Sequence, residues 1–284
     1  MHADRQRRRI ARYYRWLDRL EWMHAARRET GTDAQPVHRA LRDPAGGPAD
    51  TKVVHRMMLA GLDLPPAPRV LDAGCGYGAT AFDLYPLIGG TWLGVTLSPV
   101  QVRRASAEAA RRGLAENIRF VEQSYDDPLP GPFDLAIAIE SVIHSVDPAR
   151  SLANIAGSIA PGGYLLVVDD MPRPGLSVRD SADLDVFKRM WRCPVAPEEG
   201  VWRGAITSAG LEILREEDLN PLLLTRPEAE LAAPLDRQRR RAFWWGLLGG
   251  GLRAQADIGG MTLELLHGRG AVHYRLIVAR RPRS

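Results

Sequence analysis

A chain of 284 residues, 45% hydrophobic and 25% charged, has enough apolar material for one large α/β domain with an added cap. Its net charge of +4 rests on arginine, Lys52 and Lys188 being the only lysines, and no basic stripe interleaved with aromatics points to nucleic acid. Two cysteines, Cys75 and Cys193, with no CxxC pair exclude a disulfide framework and a cysteine-based zinc site.

Residues 4–28 carry apolar and aromatic positions, among them Ile10, Tyr14, Leu17 and Leu20, at helical spacing with arginines between them. This arginine-rich start has no apolar core of a signal peptide, and the longest apolar run, 242–252, is glycine-rich and too short to span a bilayer. A soluble, cytoplasmic protein is expected. Residues 30–50 read as a loop, with His38 at the surface, and 51–62 as a helix. Pro65, Pro66 and Pro68 then punctuate the chain before a first strand at Val70 and Leu71.

That strand ends in Asp72, followed by alternating glycines at Gly74, Gly76 and Gly78 and a helix over 79–88. Strand, glycine turn and helix make the first βα unit of a nucleotide-binding sheet. Glycines serve such a turn by permitting positive φ and by keeping side chains out of a ligand's way. Strands follow at 91–96, 117–122 and 133–139, with helices at 99–112 and 148–160, the latter capped by Asp147. A fifth strand is expected over 164–168 after Pro161-Gly162-Gly163, a sixth from 210, and an alternating last strand around 272–278. The result is a doubly wound, mostly parallel seven-stranded sheet of Rossmann-like type. Residues 1–62 form an N-terminal helical segment, and 63–284 the α/β domain with helical insertions at about 171–197 and 227–266.

A carboxylate at Asp72 suits a cationic ligand such as an α-amino group and is wasted on a pyrophosphate. A dinucleotide-binding fold wants Asp or Glu at the end of strand two to grip ribose hydroxyls, where this chain has Thr96. Both residues count against a nicotinamide cofactor. The strand–Asp–GxGxG segment resembles the class I S-adenosylmethionine-dependent methyltransferases. The stretch Gly94-Val-Thr-Leu-Ser-Pro-Val-Gln101 matches the wording of those acting on tocopherols, sterols and fatty-acid chains.

The resemblance implies S-adenosylmethionine as cofactor and S-adenosylhomocysteine as product. It assigns to the cofactor Asp72, Gly74, Gly76, Gly78, Thr96, Leu97 and Gln101, with Ser124 and Tyr125 facing the adenine and Tyr14 on an N-terminal helical lid. Glu140 and His144, four residues apart after strand four, become the catalytic candidates, His144 as a base with a pKa near 6.5. Asp169 and Asp170 are expected to end strand five in the same crevice. Trp191, Trp244 and Trp245 are candidates for the lid or the acceptor pocket. The acceptor is a small, lipophilic molecule such as a secondary metabolite or lipid; no nucleic acid, metal or transmembrane segment is implied, and the oligomeric state and the atom methylated stay open. Rival readings are a cyclopropane-type lipid synthase, disfavoured by Ile143 in place of Glu before His144, an NAD(P)-dependent oxidoreductase, disfavoured by Thr96, and a non-catalytic S-adenosylmethionine-binding protein.

Overall fold

The computed structural model describes residues 38–247 and 251–283, without the side chains of 244–247 and 252. The predicted helix over 4–28, Tyr14 and most of the N-terminal lid lie outside these residues, as do the side chains of Trp244 and Trp245. Seven strands form one sheet: β1 (Arg69–Ala73), β2 (Thr91–Thr96), β3 (Ile118–Glu122), β4 (Phe133–Ile139), β5 (Ile159–Pro172), β6 (Glu212–Asp218) and β7 (Val272–Arg280). Their order is β3-β2-β1-β4-β5-β7-β6. The first five run parallel, and β7 inserts antiparallel between β5 and β6.

The central strands read as unbroken apolar runs because both sheet faces are covered. On one face lie α1 (Lys52–Leu59), α2 (Ala79–Ile88) and α3 (Pro99–Arg111), which bury Val54, Met58, Phe82, Leu84 and Ala105. On the other lie α4 (Pro148–Gly157) and α6 (Glu199–Ser208), which bury Leu152, Ile155, Trp202 and Ile206. Helix starts follow the expected chemistry: Ser98 accepts from the Gln101 amide ahead of α3, Asp147 from the Arg150 amide ahead of α4, and a proline opens each helix.

Three further helices, α5 (Val178–Trp191), α7 (Glu228–Leu247) and α8 (Leu252–Gly268), pack as a cap around Leu231, Leu235, Ile258 and Leu265. None of the described helices is long and apolar enough to cross a membrane.

Strand β5 departs most from expectation. It starts at Ile159, not at residue 164, because Ile159 pairs with Phe133 and the glycines keep their ladder partners: the Gly162 amide donates to the Arg281 carbonyl and the Arg281 amide to that of Gly163, both at 2.8 Å. It also runs on to Pro172, paired with β7 through Val272. Asp169 and Asp170 therefore sit inside the strand rather than at its end, and helix α4 stops at Gly157, where the Ser158 hydroxyl turns back on the Ile155 carbonyl.

His38 is half-buried, not a freely exposed surface residue. It packs edge-on against the buried His55, ring centroids 4.9 Å apart, and burial beside that second ring pulls its pKa down to about 4. A histidine depressed in the folded state stabilises fully above its unfolded value and loses that stability as pH falls towards the folded one. Lowering the pH from 7 to 4 should therefore remove about 3 kcal/mol more stability from the parent than from His38→Gln, as read from urea unfolding at each pH.

Candidate active site at the carboxyl ends of the strands

The glycine turn is built by backbone. The amides of Gly74 and Cys75 both donate to the Val95 carbonyl of β2, at 2.9 and 3.0 Å. Gly74, Gly76 and Gly78 hold φ of 91°, 52° and 81°, a region that suits glycine. Ligand clearance is not what Gly74 and Gly78 supply, however. A Cβ on Gly74 would stand 2.4 Å from the Ser141 Cβ, and one on Gly78 would stand 2.5 Å from the Phe120 ring, so these glycines fit the turn against the protein itself. No side chain caps α2, which leaves its first amides facing the turn for a ligand or water.

Asp72 lies beside this turn, 3% exposed, and its Oδ2 has no hydrogen-bond partner. Burial pushes the carboxyl up to about 7. The Cys75 thiol beside it is pushed well above its ordinary value by burial and by Asp72.

Thr96 and Gln101 meet directly. The Thr96 hydroxyl donates to Gln101 Oε1 at 2.6 Å and accepts from the Ser98 amide at 3.3 Å. The pair fixes the orientation of the Gln101 amide, leaving its NH2 as what the unit has to offer. Leu97 is half-buried in the same turn. The Ser124 hydroxyl accepts from the Asp126 amide at 3.1 Å, and the Tyr125 hydroxyl donates to the Ser141 carbonyl, tying the end of β3 to the end of β4.

Past β4 the backbone turns at Glu140, a non-glycine residue held at φ 45°. Such a conformation costs of order 1–3 kcal/mol and persists where its surroundings over-determine it. Here they do. Glu140 Oε1 accepts from the Arg39 amide at 3.1 Å, from Arg39 Nη1 at 3.2 Å and from the Tyr274 hydroxyl at 2.9 Å. Both Arg39 Nη atoms also reach the Asp170 carboxylate, at 3.1 and 2.9 Å.

His267 Nε2 lies 2.9 Å from Asp170 Oδ1 and its Nδ1 3.0 Å from the Val272 carbonyl. The ring thus bridges the Asp170 carboxylate and the Val272 carbonyl. Burial alone would raise the Asp170 carboxyl; Arg39 and His267 outweigh it and hold it at about 2. Glu140 is raised by burial against the pull of Arg39, and the neighbouring Asp169 is pushed well above its ordinary value by burial and by Asp170.

His144 has other company. Its Nδ1 lies 3.6 Å from Cys193 Sγ, the ring is also hydrogen-bonded to the Arg192 backbone, and burial lowers its pKa to about 4. Glu140 and His144 thus belong to separate networks: one ties strand ends to the segment before α1, the other pins the turn after α5. Trp191 packs on Phe187, and its Nε1 donates to the Ala256 carbonyl at 3.0 Å, which braces the half-buried indole at the edge of the main core. Among the described residues no group of three or more His, Cys, Asp or Glu is placed to hold a metal ion.

Sequence reading missed Arg39, Tyr274 and His267, which come from a loop, the last strand and the cap. No local motif marks any of them. The only signal was Glu140 itself, an acid at the end of an apolar strand that needs a partner.

Residues 70–163 match the family model described as "Methyltransferase domain". The chain is 38% identical over 102 residues to tocopherol O-methyltransferase of Arabidopsis thaliana, which covers 35% of this chain and 29% of that protein. It is 29% identical over 178 residues to O-methyltransferase cnsE of Penicillium expansum, covering 60% of this chain and 62% of that one. The chain thus spans less than two thirds of the length of these relatives. Among solved structures, geranyl diphosphate C-methyltransferase from Streptomyces coelicolor A3(2) superposes with a TM-score of 0.71 at 18% identity over 97% of this chain and 98% of that one. The [4+2]-cyclase SpnF superposes at 0.65 and 21% identity over 88% of each. Residues 70–163 are thus similar to a methyltransferase domain, and the seven-stranded sheet with its antiparallel β7 is the fold shared with these solved structures.

Arg39→Met should cost about 3–5 kcal/mol, because it leaves Glu140 and Asp170 buried without their cation. Urea unfolding at pH 7 measures it.

Proposed function

We propose that this protein is an S-adenosylmethionine-dependent methyltransferase acting on a small, lipophilic acceptor such as a secondary metabolite. The observation that carries the reading is Asp72, a carboxylate buried beside a positive-φ glycine turn with one oxygen unpartnered. An ammonium group supplies the missing cation, whereas a nicotinamide dinucleotide would bring its anionic pyrophosphate to this turn. Thr96 at the end of β2, already bonded to Gln101, supports the same choice. The family match over 70–163 supports the reaction class, whereas the cyclase with the same fold is a reminder that fold alone does not fix chemistry.

When bound, S-adenosylmethionine supplies an electrophilic methyl carried on a sulfonium. In this reading Asp72 holds the cofactor's ammonium, and Gly76 and the uncapped start of α2 receive its polar chain. The Gln101 amide, oriented by Thr96, faces the ribose, with Leu97, Ser124 and Tyr125 lining the adenine side. The chain's share of the reaction is alignment of an acceptor atom opposite the leaving sulfur and exclusion of water. Glu140 and His144 act as positioning groups. Glu140 fixes Arg39 and Tyr274 at the strand ends, and His144 holds the turn at Arg192 and Cys193 beneath the cap.

Asp72 gives the cofactor reading a pH signature. Its pKa of about 7 in the free protein falls when an ammonium binds, so binding releases protons near pH 7. S-adenosylhomocysteine should bind more tightly as pH rises from 6 to 8 and then level off. Calorimetry in buffers of different ionisation heat should show proton release in the parent and none in Asp72→Asn. Tight NAD binding with no response to S-adenosylhomocysteine would overturn the proposal.

A histidine with a pKa of about 4 is neutral at pH 7 but weak as a base. His144→Ala should therefore slow single-turnover transfer by about tenfold or less, in line with a lost hydrogen bond of about 1 kcal/mol, rather than the hundredfold or more of a general base. The rate should show no inflection near pH 6.5 arising from this residue. A hundredfold loss with such an inflection would make His144 the catalytic base instead.

A further inference from the structure

Where the strand ends meet the cap there is a cavity of about 280 Å3, walled by Arg39, His267 and Glu264 on its polar side and by Trp191, Leu223 and Leu224 on its apolar side. It does not touch the glycine turn but is linked to it by a short chain of contacts. Arg39 holds Glu140, and the next residue, Ser141, donates its hydroxyl to the Ala73 carbonyl at 2.7 Å and packs where a Gly74 side chain would stand.

Every charged group in the described wall already has its counter-charge. Arg39 is shared between Glu140 and Asp170, and His267 faces Asp170. Glu264 takes the Arg226 amide and guanidinium, at 2.6 to 3.0 Å. An anionic acceptor would have to break one of these pairs to be neutralised, and a cationic one would find no spare carboxylate there. What the wall leaves open is apolar surface and an indole whose N–H is already bonded inside the cap.

The volume argues for a compact guest. Pockets for drug-sized ligands run from about 300 to 1,000 Å3, so this one sits at the small end, the size of a one- or two-ring body rather than a sterol.

Adjacent glycines in α8 show how the space is made. A Cβ on Gly259 would strike the Trp191 ring at 2.2 Å, so packing dictates that glycine. A Cβ on Gly260 would meet only Trp191 Cζ2 at 3.6 Å, an ordinary contact, and its backbone is helical. Neither conformation nor packing requires glycine at 260, although a helix interior disfavours it relative to alanine. Gly260 lines the cavity, and its missing side chain is part of the cavity's volume.

We infer that this cavity is the acceptor site, that it takes an uncharged, compact aromatic molecule, and that Gly260 sets its size. The inference rests on the methyltransferase reading for the word acceptor; the charge and size preferences stand on the wall itself. The probes are 1-naphthol and 1-naphthyl phosphate, which share one ring system and differ in charge, titrated calorimetrically into the full chain. The phenol should bind at least tenfold more tightly than the phosphate. Gly260→Leu should lower phenol affinity tenfold or more while S-adenosylhomocysteine affinity stays within twofold of the parent. Gly260→Ala should fold with an unchanged or raised Tm, showing that the position tolerates a side chain. Equal binding of the two probes, or parent-like phenol binding in folded Gly260→Leu, would overturn the inference. Loss of S-adenosylhomocysteine binding in the parent, with the phenol preference and the Gly260→Leu effect intact, would remove the methyltransferase reading and leave the cavity assignment standing.

Discussion

The guanidinium of Arg39 is the interaction on which the carboxyl end of the sheet depends. Two acids, Glu140 after β4 and Asp170 inside β5, are brought together there, Asp170 buried and Glu140 largely so. Two like charges at such range in a poorly solvated site repel strongly, and neither can ionise without a counter-charge. Arg39 supplies it as a fork, which matches carboxylate geometry in a way an ammonium point charge does not. Tyr274 and His267 complete the arrangement from β7 and the cap. One charge cluster thus fastens five separate pieces of chain, and through Glu140 it also fixes a backbone turn that would be strained alone.

Asp72 shows the opposite treatment of a buried acid. It lies in the same sheet, a few residues from a turn crowded with backbone donors, yet one of its oxygens is left without a partner. A buried carboxylate without compensation destabilises the fold, and its pKa rises accordingly. Where one acid is given an arginine, a tyrosine and a strained turn and another is left bare, the bare one is the group whose partner comes from outside. That contrast is what supports Asp72 as the ligand contact in the proposed reading.

How much of this was legible in the sequence follows from the range of each interaction. Strands β1, β2 and β4 and the helices between them were readable because their signals are local: apolar runs, proline at first turns, a serine or aspartate at the cap. The glycine turn was readable for the same reason, although the cause at Gly74 and Gly78 is a clash with Ser141 and Phe120, residues distant in the chain. The true length of β5 was not readable, since Pro161-Gly162-Gly163 looks like a turn and only the partner strand β7 shows that its ladder continues. The Arg39 network was invisible because its members are separated by up to 235 positions and none sits in a motif. Glu140 and His144 looked like a pair through their spacing and the resemblance, and burial in different surroundings separates them.

The division of labour that results is unusual in one respect. The polar groups nearest the proposed acceptor cavity are consumed by one another, so the chain brings little acid–base chemistry to that place. An in-line methyl transfer can run on those terms, because the leaving group departs as a neutral thioether and the barrier is lowered by alignment and dehydration. The requirement then falls on the acceptor, which must be nucleophilic once held at the right distance, or must lose its proton to water in the cavity mouth. Charge pairing that stabilises the strand ends and specificity for an uncharged guest are then one property of the wall. Every carboxylate given to Arg39 is one fewer for a substrate, and the arginine given to them is one fewer for a phosphate.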